Sequence, residues 1–192
     1  MLSSILEASH LDILMSAAKT YRELANREFK IGLSNGESIR IVFRPGNFMH
    51  LAGLNKLTDL YFISSKLLTP TTIFKKILKG EITWGDLNAS IHFGSEAKER
   101  IECLCRIDEV FVLDGRVVFG FDRAKCCAKV KFKSDMIFFK DDGYEFFITF
   151  GAALDKSGLF HYPETVFYRY DRMYLINQKI VRIVSVDVCH VE

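Results

Sequence analysis

Apolar residues recur at helical spacing in the first half of the chain and alternate like strands in the second half. The first helical pattern runs from Ser3 or Ser4, either of which can cap it, to about Arg27. From Gly115 onward the alternation predicts strands near residues 117–121, 129–132, 135–140, 144–150, 165–170 and 179–188, with a turn at 141–143. Helices followed by a meander of strands predict an α+β fold, in which N-terminal helices pack on an antiparallel sheet of about four or more strands.

A β-hairpin is predicted between the first helix and the helices that follow it. Residues 29–33 and 39–43 alternate in the manner of strands, and Asn35-Gly36 lies between them. Asn-Gly in this position is the strongest short signal for a hairpin, since both residues adopt positive φ readily. The hairpin leads directly into a polar loop at residues 44–47.

The apolar segment 48–63 predicts a buried helix that carries a histidine in its first turn. At about 100° per residue, His50 falls on the apolar face with Leu54 and Leu57. Tyr61 falls on the same face. Burial and the positive end of the helix dipole both disfavour imidazolium, so we expect His50 to be mainly neutral near pH 7. Such a ring suits general acid–base catalysis, and the alternative is a core histidine bonded to a backbone carbonyl.

Further helices are predicted before the strands begin. Thr69-Pro70 opens one helix and Lys79-Gly80 closes it, a short helical turn covers 84–90, and a longer helix spans about 95–112. The chain shows no repeat, low-complexity segment or linker. We therefore expect a single domain over 1–192, made of an N-terminal helix (1–28), a hairpin plus helices (29–115) and an antiparallel sheet (116–192).

Composition indicates a soluble globular protein with an aromatic core. The 192 residues are 49% hydrophobic and 26% charged, and 17 of them are Phe. No run approaches the ~20 apolar residues of a membrane span, and the N-terminus does not read as a signal peptide. Five cysteines, two of them adjacent, fit a disulfide framework poorly, so we expect a reducing cytosol.

Several chemical signatures are missing from the sequence. No phosphate-binding Gly loop, His-Glu-x-x-His motif, nucleophile elbow or Cys-x-x-Cys occurs. Cys103-x-Cys105 and Cys189-His190 match no common zinc spacing, so we expect no metal and no cofactor. These absences favour chemistry carried by His, Arg, Lys and hydroxyl groups.

The charge pattern is compatible with nucleic acid without requiring it. Net charge is +2, with a sequence pI of about 8.2. Positions 122 to 140 contain only two acidic residues, Asp122 and Asp135. The six basic residues of this stretch are Arg123, Lys125, Lys129, Lys131, Lys133 and Lys140. Such a cluster can track phosphates, and an ordinary solvated strand face is the alternative.

RNA cleavage is one reaction that these residues can support. The 2′-OH attacks its own phosphate, so the protein needs to supply only a base, an acid and cations. His50 suits the base or the acid, and Arg44 suits a bidentate phosphate clamp. Asn47, at the predicted N-cap, either caps the helix or hydrogen-bonds the substrate, and the free N–H groups of that first turn would offer an anion site.

Other candidates lie near the end of the chain. Tyr168, Arg169 and Tyr170 can stack a base and hold a backbone, or they can form an ordinary strand. His161 and His190 are further titrating groups, with surface residues as the alternative reading.

Residues 43–54, with the sequence FRPGNFMHLAGL and Lys56-Leu57 after it, resemble the core motif of a phage-associated nuclease family. This is the fourth such phage group of the barnase, EndoU, colicin-type tRNase and RelE-like assemblage, found in phage polyvalent proteins and prophages. Weaker similarities are the Asn-Gly hairpin, IFKKI at 73–77, GEIT at 80–83, Ser90, Arg100-Ile101 and FHYPETVF at 160–167. The resemblance spans about residues 21 to 180.

The resemblance implies helices packed on a four-stranded antiparallel sheet, and a metal-independent endoribonuclease that acts on RNA in the cytoplasm of a bacterial host. It points to Asn47 and His50 as site residues, and then to Arg44, Lys56 and Thr165. Met49 stands where the family pattern has proline.

A non-catalytic binding protein is the second hypothesis. A phage-encoded inhibitor or anti-defence factor would act on a host or phage protein partner through an aromatic-rich interface. Its anchors would be Tyr144, Tyr162, Tyr168 and Tyr170.

Overall fold

Helices and strands segregate into two units of the chain. The computed structural model describes residues 2–65, 67–126, 130, 132–134, 136–141, 145–169 and 173–190. One unit, Met1–Ala25 with Arg44–Ile107, is helical, and the other, Asn26–Phe43 with Asp108–Glu192, contains the strands. The predicted hairpin therefore belongs to the strand unit, although helices precede and follow it in sequence.

Seven α-helices are present in the described residues. They are α1 (Leu2–Leu24), α2 (Asn47–Leu51), α3 (Tyr61–Ser64), α4 (Pro70–Leu78), α5 (Trp84–Asn88), α6 (Phe93–Glu96) and α7 (Lys98–Leu104). The predicted start of α4 is confirmed, since the Thr69 hydroxyl accepts the Thr72 N–H at 3.2 Å and Pro70 lies in the first turn. Thr83 caps α5 through a capping box with Asp86.

The single helix predicted over residues 48–63 is wrong. Gly53 adopts φ +72° and ends the helical path after α2, and a 3-10 turn at Leu54–Lys56 separates α2 from α3. A Cβ at Gly53 would collide with the Glu96 carbonyl, so the backbone needs glycine here on two counts. The helix predicted over 95–112 is likewise divided into α6, α7 and a 3-10 turn at Ile107–Val110.

Seven strands form a closed barrel in the described part of the chain. They are β1 (Arg27–Leu33), β2 (Ser38–Val42), β3 (Arg116–Phe119), β4 (Met136–Asp141), β5 (Glu145–Asp155), β6 (Gly158–Arg169) and β7 (Ile180–His190). Their order around the barrel is β1-β2-β6-β5-β4-β3-β7. The β2–β6 pair is parallel, with Ile41 opposite His161, and the other pairs are antiparallel.

The α+β class is thus confirmed, and the detail of a four-stranded antiparallel sheet is wrong. Alternation identifies strands but does not say which distant strands pair. Here β1 and β2, from the first quarter of the chain, close the barrel by pairing with β7 and β6. The Asn-Gly hairpin is confirmed, with Gly36 at φ +88°. Much of the strand predicted at 129–132, and most of the turn predicted at 141–143, lie outside the described residues.

Aromatic rings fill the interior of both units. In the barrel unit the rings of Phe43 and Phe150 pack edge to face, with their centroids 6.2 Å apart. The centroids of Phe138 and Phe150 are 5.0 Å apart. In the helical unit, Phe48 of α2 contacts Tyr21 of α1 at 5.5 Å. The contact between Phe48 and Tyr21 packs the buried face of α2 against α1.

Candidate active site

Arg44 and His50 lie on either side of the short turn that leads into α2. The Asn47 side-chain Oδ1 accepts a 3.0 Å hydrogen bond from the Arg44 N–H. The Asn47 N–H in turn donates to the Arg44 carbonyl at 2.9 Å. Asn47 therefore fixes both backbone groups of Arg44.

The expected N-cap at this turn is wrong. Helix α2 begins at Asn47 itself, after Gly46, and no side chain caps it. The Asn47 amide is engaged with Arg44, and the Phe48 N–H donates to the Pro45 carbonyl at 3.3 Å. Two of the first-turn amides are thus used to close the turn, and anion binding here stays a prediction.

Tyr21 holds the same turn from the interior. Its side chain is completely buried, and its hydroxyl donates to the Arg44 carbonyl at 3.0 Å. Burial raises the pKa of Tyr21 far above its ordinary value, so the phenol stays protonated and keeps its role as a donor. Arg44 itself is exposed, and these hydrogen bonds hold its backbone.

His50 is exposed, which overturns the prediction of a buried ring. Leu54 and Leu57 are completely buried, as expected, but the break at Gly53 rotates His50 away from them. The burial on which the expectation of a neutral imidazole rested is therefore absent. The His50 Nδ1 lies 3.4 Å from the Asn55 side-chain nitrogen.

Lys56 is exposed at the end of the 3-10 turn that follows. Within the part of the chain that the structure describes, its ammonium makes no ion pair. Because the Lys56 ammonium is exposed and makes no ion pair with a described residue, its positive charge faces solvent six residues after His50.

Asp59 ties this segment to Ser90 and Ile91, between α5 and α6, and no pattern in the sequence predicts that link. Its carboxylate accepts the Ser90 hydroxyl at 2.6 Å and the Ile91 N–H at 2.9 Å. The Ser90 hydrogen bond lowers the pKa of Asp59 below its ordinary value, with a smaller contribution from Ile91. The partners are 31 and 32 residues away, beyond the reach of any local pattern.

The remaining candidates lie on β6 in the barrel unit. Thr165 is half-buried. In the β5–β6 pair, Thr165 lies opposite Thr149 and Tyr168 lies opposite Phe146. Arg169 ends β6, and Tyr170 lies outside the described residues. The candidate site residues therefore form two sets, with Arg44, Asn47, His50 and Lys56 in the helical unit and Thr165, Tyr168 and Arg169 in the barrel unit.

A β-bulge beside Thr165 produces a polar network that the sequence analysis missed. Thr149 pairs with Thr165 and Phe150 pairs with Pro163, so Glu164 is the extra residue of β6. Its carboxylate accepts hydrogen bonds from the Lys133 N–H at 3.0 Å and from the Ser134 hydroxyl. The Ser134 and Thr149 hydroxyls lie 2.9 Å apart. This network fixes the bulge and gives Glu164 an internal partner.

Three of the four described members of the basic cluster are engaged within the protein. Lys125 lies 3.4 Å from Asp122, and Lys140 lies 2.6 Å from Glu109. The Arg123 guanidinium donates to the carbonyl of Ser134 at 2.7 Å. Lys129 and Lys131 lie outside the described residues, and phosphate binding by this cluster stays a prediction.

The two other histidines named from sequence differ in exposure. His161 is 9% exposed, with its Nδ1 3.3 Å from the Arg40 carbonyl, so its reading as a surface residue is wrong. His190 is exposed on β7.

The cysteines named from sequence give no sign of a metal site. Burial raises the pKa of the Cys103 thiol. Across the described residues, no group of three or more His, Cys, Asp and Glu side chains is arranged to hold a metal ion.

The fold is α+β, and the turn at residues 44–50 carries an exposed arginine and an exposed histidine. The sequence of the chain assigns it to a class of nuclease-like proteins. The family model described as phage-Barnase-EndoU-ColicinE5/D-RelE like nuclease4 matches residues 13–182. The chain is therefore a member of this phage nuclease-like family, and the resemblance carried by residues 43–54 is confirmed. No curated protein and no solved structure matches the chain.

No helix in the described part of the chain has both the length and the apolar character that a membrane span requires.

Proposed function

We propose that this protein is a metal-independent endoribonuclease in which His50 is the general acid or base and Arg44 binds the scissile phosphate. The observation that supports it is the fixed turn at residues 44–50. Asn47 and Tyr21 hold the backbone of Arg44, and both Arg44 and His50 remain exposed. Membership of a nuclease-like family supports the same reaction class.

The proposed reaction needs only groups of the protein and of the RNA, together with solvent water. The 2′-oxygen attacks the adjacent phosphorus as its proton leaves, and the bond to the 5′-oxygen breaks as that oxygen gains a proton. His50 takes up the first proton or gives the second, and water exchanges the other one. Arg44, with two parallel N–H donors, stabilises the charge on the phosphoryl oxygens. The products are a 2′,3′-cyclic phosphate and a 5′-hydroxyl.

The other candidate residues have secondary roles in this proposal. Asn47 is a positioning residue, because its Oδ1 is engaged with the Arg44 N–H. Lys56 supplies a further cation for a neighbouring phosphate. Thr165, Tyr168, Arg169 and Tyr170 belong to the other unit and stay candidates from the sequence, and the reaction proposed here assigns them no step.

Cleavage of total bacterial RNA in EDTA tests the proposal. The wild type should produce fragments with 2′,3′-cyclic phosphate ends, while folded His50→Ala and Arg44→Ala proteins should not. Cleavage by both variants at the wild-type rate would show that this site is not catalytic. No cleavage by folded wild-type protein would favour the alternative, a non-catalytic protein that acts on a host or phage partner.

A further inference from the structure

Tyr61 is far more exposed than the apolar residues around it, since Leu60 and Phe62 are half-buried and Leu57 and Ile63 are buried. It is 75% exposed at the start of α3, while Leu57 is completely buried and Ile63 is 9% exposed. Tyr21 and Tyr174, by comparison, are 0% and 5% exposed. Within the described residues the Tyr61 ring makes no aromatic contact and its hydroxyl no hydrogen bond. Packing therefore does not explain the presence of a ring here.

The backbone that carries Tyr61 is fixed on its N-terminal side. Asp59, two residues earlier, is held by Ser90 and Ile91. The Leu60 N–H donates to the Leu57 carbonyl at 3.1 Å. The ring is thus presented to solvent from an ordered backbone, which lowers the entropy lost when a ligand binds it.

Tyr61 is connected to the His50 turn by consecutive tight turns. The Gly53 N–H donates to the His50 carbonyl, and the Lys56 N–H donates to the Gly53 carbonyl, each at 3.0 Å. Each such turn keeps its end residues within about 7 Å. Residues 50–61 therefore form a folded path and not an extended strand.

Four of the exposed side chains along residues 44–61 have complementary chemistry. Arg44 and Lys56 are cations, His50 is an imidazole and Tyr61 is a flat ring. Asp59 is also exposed, but its carboxylate is engaged with Ser90 and Ile91. The apolar residues that anchor the segment are completely buried; they are Phe48, Leu51, Leu54 and Leu57. Proteins that bind single-stranded nucleic acid combine cations, which meet the phosphates, with an aromatic ring, on which an unstacked base lies.

We propose that Tyr61 is a base-stacking residue that, with Lys56, forms a nucleotide subsite in the same folded segment as His50, and that the substrate is therefore single-stranded RNA. This inference rests on the proposed function for its choice of RNA. A base in a duplex is already stacked on its neighbours, so the exposed ring selects unpaired nucleotides.

Fluorescence of a Tyr61→Trp variant tests the subsite without requiring cleavage. The probe is a short 2′-O-methyl oligoribonucleotide, which lacks the attacking hydroxyl and cannot be cut. The chain contains one tryptophan, Trp84, which is 7% exposed, so the new indole dominates any change on titration. The control is Leu154→Trp, which places an indole at a position 79% exposed on β5, in the other unit.

We expect saturable quenching in Tyr61→Trp that weakens as salt rises, and none in Leu154→Trp. Tyr61→Ala should weaken binding of the probe by roughly 5- to 150-fold, and Tyr61→Phe should bind like the wild type. Unchanged affinity in Tyr61→Ala, or equal quenching by the probe in duplex form, would overturn the proposal. In the first case the ring would belong to another kind of contact, such as a protein partner.

The test separates this inference from the proposed function. Quenching by the probe without cleavage of unmodified RNA would keep the subsite and reject the nuclease. Cleavage of unmodified RNA without quenching would keep the nuclease and reject Tyr61.

Discussion

The hydroxyl of Tyr21 donates a 3.0 Å hydrogen bond to the backbone carbonyl of Arg44. Tyr21 is completely buried in α1, whereas Arg44 is exposed. One bond therefore joins the interior of the helical unit to the residue proposed to bind phosphate. Its geometry explains how an exposed arginine keeps a defined backbone position.

Removing this hydroxyl should destabilise the protein without emptying the core. Tyr21→Phe keeps the ring that contacts Phe48 and loses the hydrogen bond, so the free energy of unfolding should fall by about 1 kcal/mol. Chemical denaturation measures it. Tyr162→Phe is the control, since that hydroxyl has no hydrogen bond within the described residues, and it should change stability by less than ~0.5 kcal/mol. Equal stability of Tyr21→Phe and wild type would contradict the role of the bond.

Two glycines of the motif should respond differently to alanine. Gly53 has φ +72° and lies against the Glu96 carbonyl, so Gly53→Ala should cost about 2 kcal/mol or more. Gly46 has φ −67°, and a Cβ there would meet Thr71 Oγ1 at an ordinary 3.5 Å. Gly46→Ala should therefore stay within ~0.5 kcal/mol of the wild type. Thermal unfolding of the two variants side by side measures the difference, and equal melting temperatures would show that Gly53 is not needed for its conformation.

Asn47 should act through Arg44 and not through the substrate. Asn47→Asp keeps a side-chain oxygen that can accept the Arg44 N–H, whereas Asn47→Ala removes it. We expect Asn47→Ala to lose about 1 kcal/mol of stability and much of any RNA cleavage, and Asn47→Asp to retain stability and most activity. Denaturation and cleavage assays on both variants measure this. Full stability with lost activity in Asn47→Ala would instead indicate a direct substrate contact.

Acid should weaken the protein partly through Asp59. Its folded pKa lies below the ordinary value of 3.8, so folding favours the ionised form. This stabilisation is complete above the unfolded pKa and is lost as pH falls through the folded one. Between about pH 5 and pH 2, Asp59→Asn should therefore lose less stability than the wild type. A wild-type slope in Asp59→Asn would contradict the prediction.

Local signals in the sequence predicted local structure well. Asn35-Gly36 marks the hairpin, Thr69-Pro70 marks the start of α4, and both are confirmed because neighbouring residues alone determine them. The barrel was not predictable in the same way. Its closure depends on β1 meeting β7 and β2 meeting β6, pairings of strands more than a hundred residues apart.

The candidate site shows the same limit at the level of single residues. The motif at residues 43–54 pointed to Arg44, Asn47 and His50 as candidate site residues. Helical periodicity, however, predicted that His50 is buried in the core. That periodicity takes Gly53 for one more helical residue, whereas its positive φ ends the helix and leaves His50 exposed. The Tyr21 and Asp59 contacts involve partners 23 to 32 residues away, so only the folded chain reveals them.

The most direct measurement of the central claim is the rate of RNA cleavage in EDTA by the wild type, His50→Ala and His190→Ala. His190 is a matched control because it is also an exposed histidine and lies in the barrel unit. The account predicts that His50→Ala lowers the rate by at least about 100-fold, while His190→Ala cuts at the wild-type rate and leaves 2′,3′-cyclic phosphate ends. Cleavage by folded His50→Ala at the wild-type rate would contradict it.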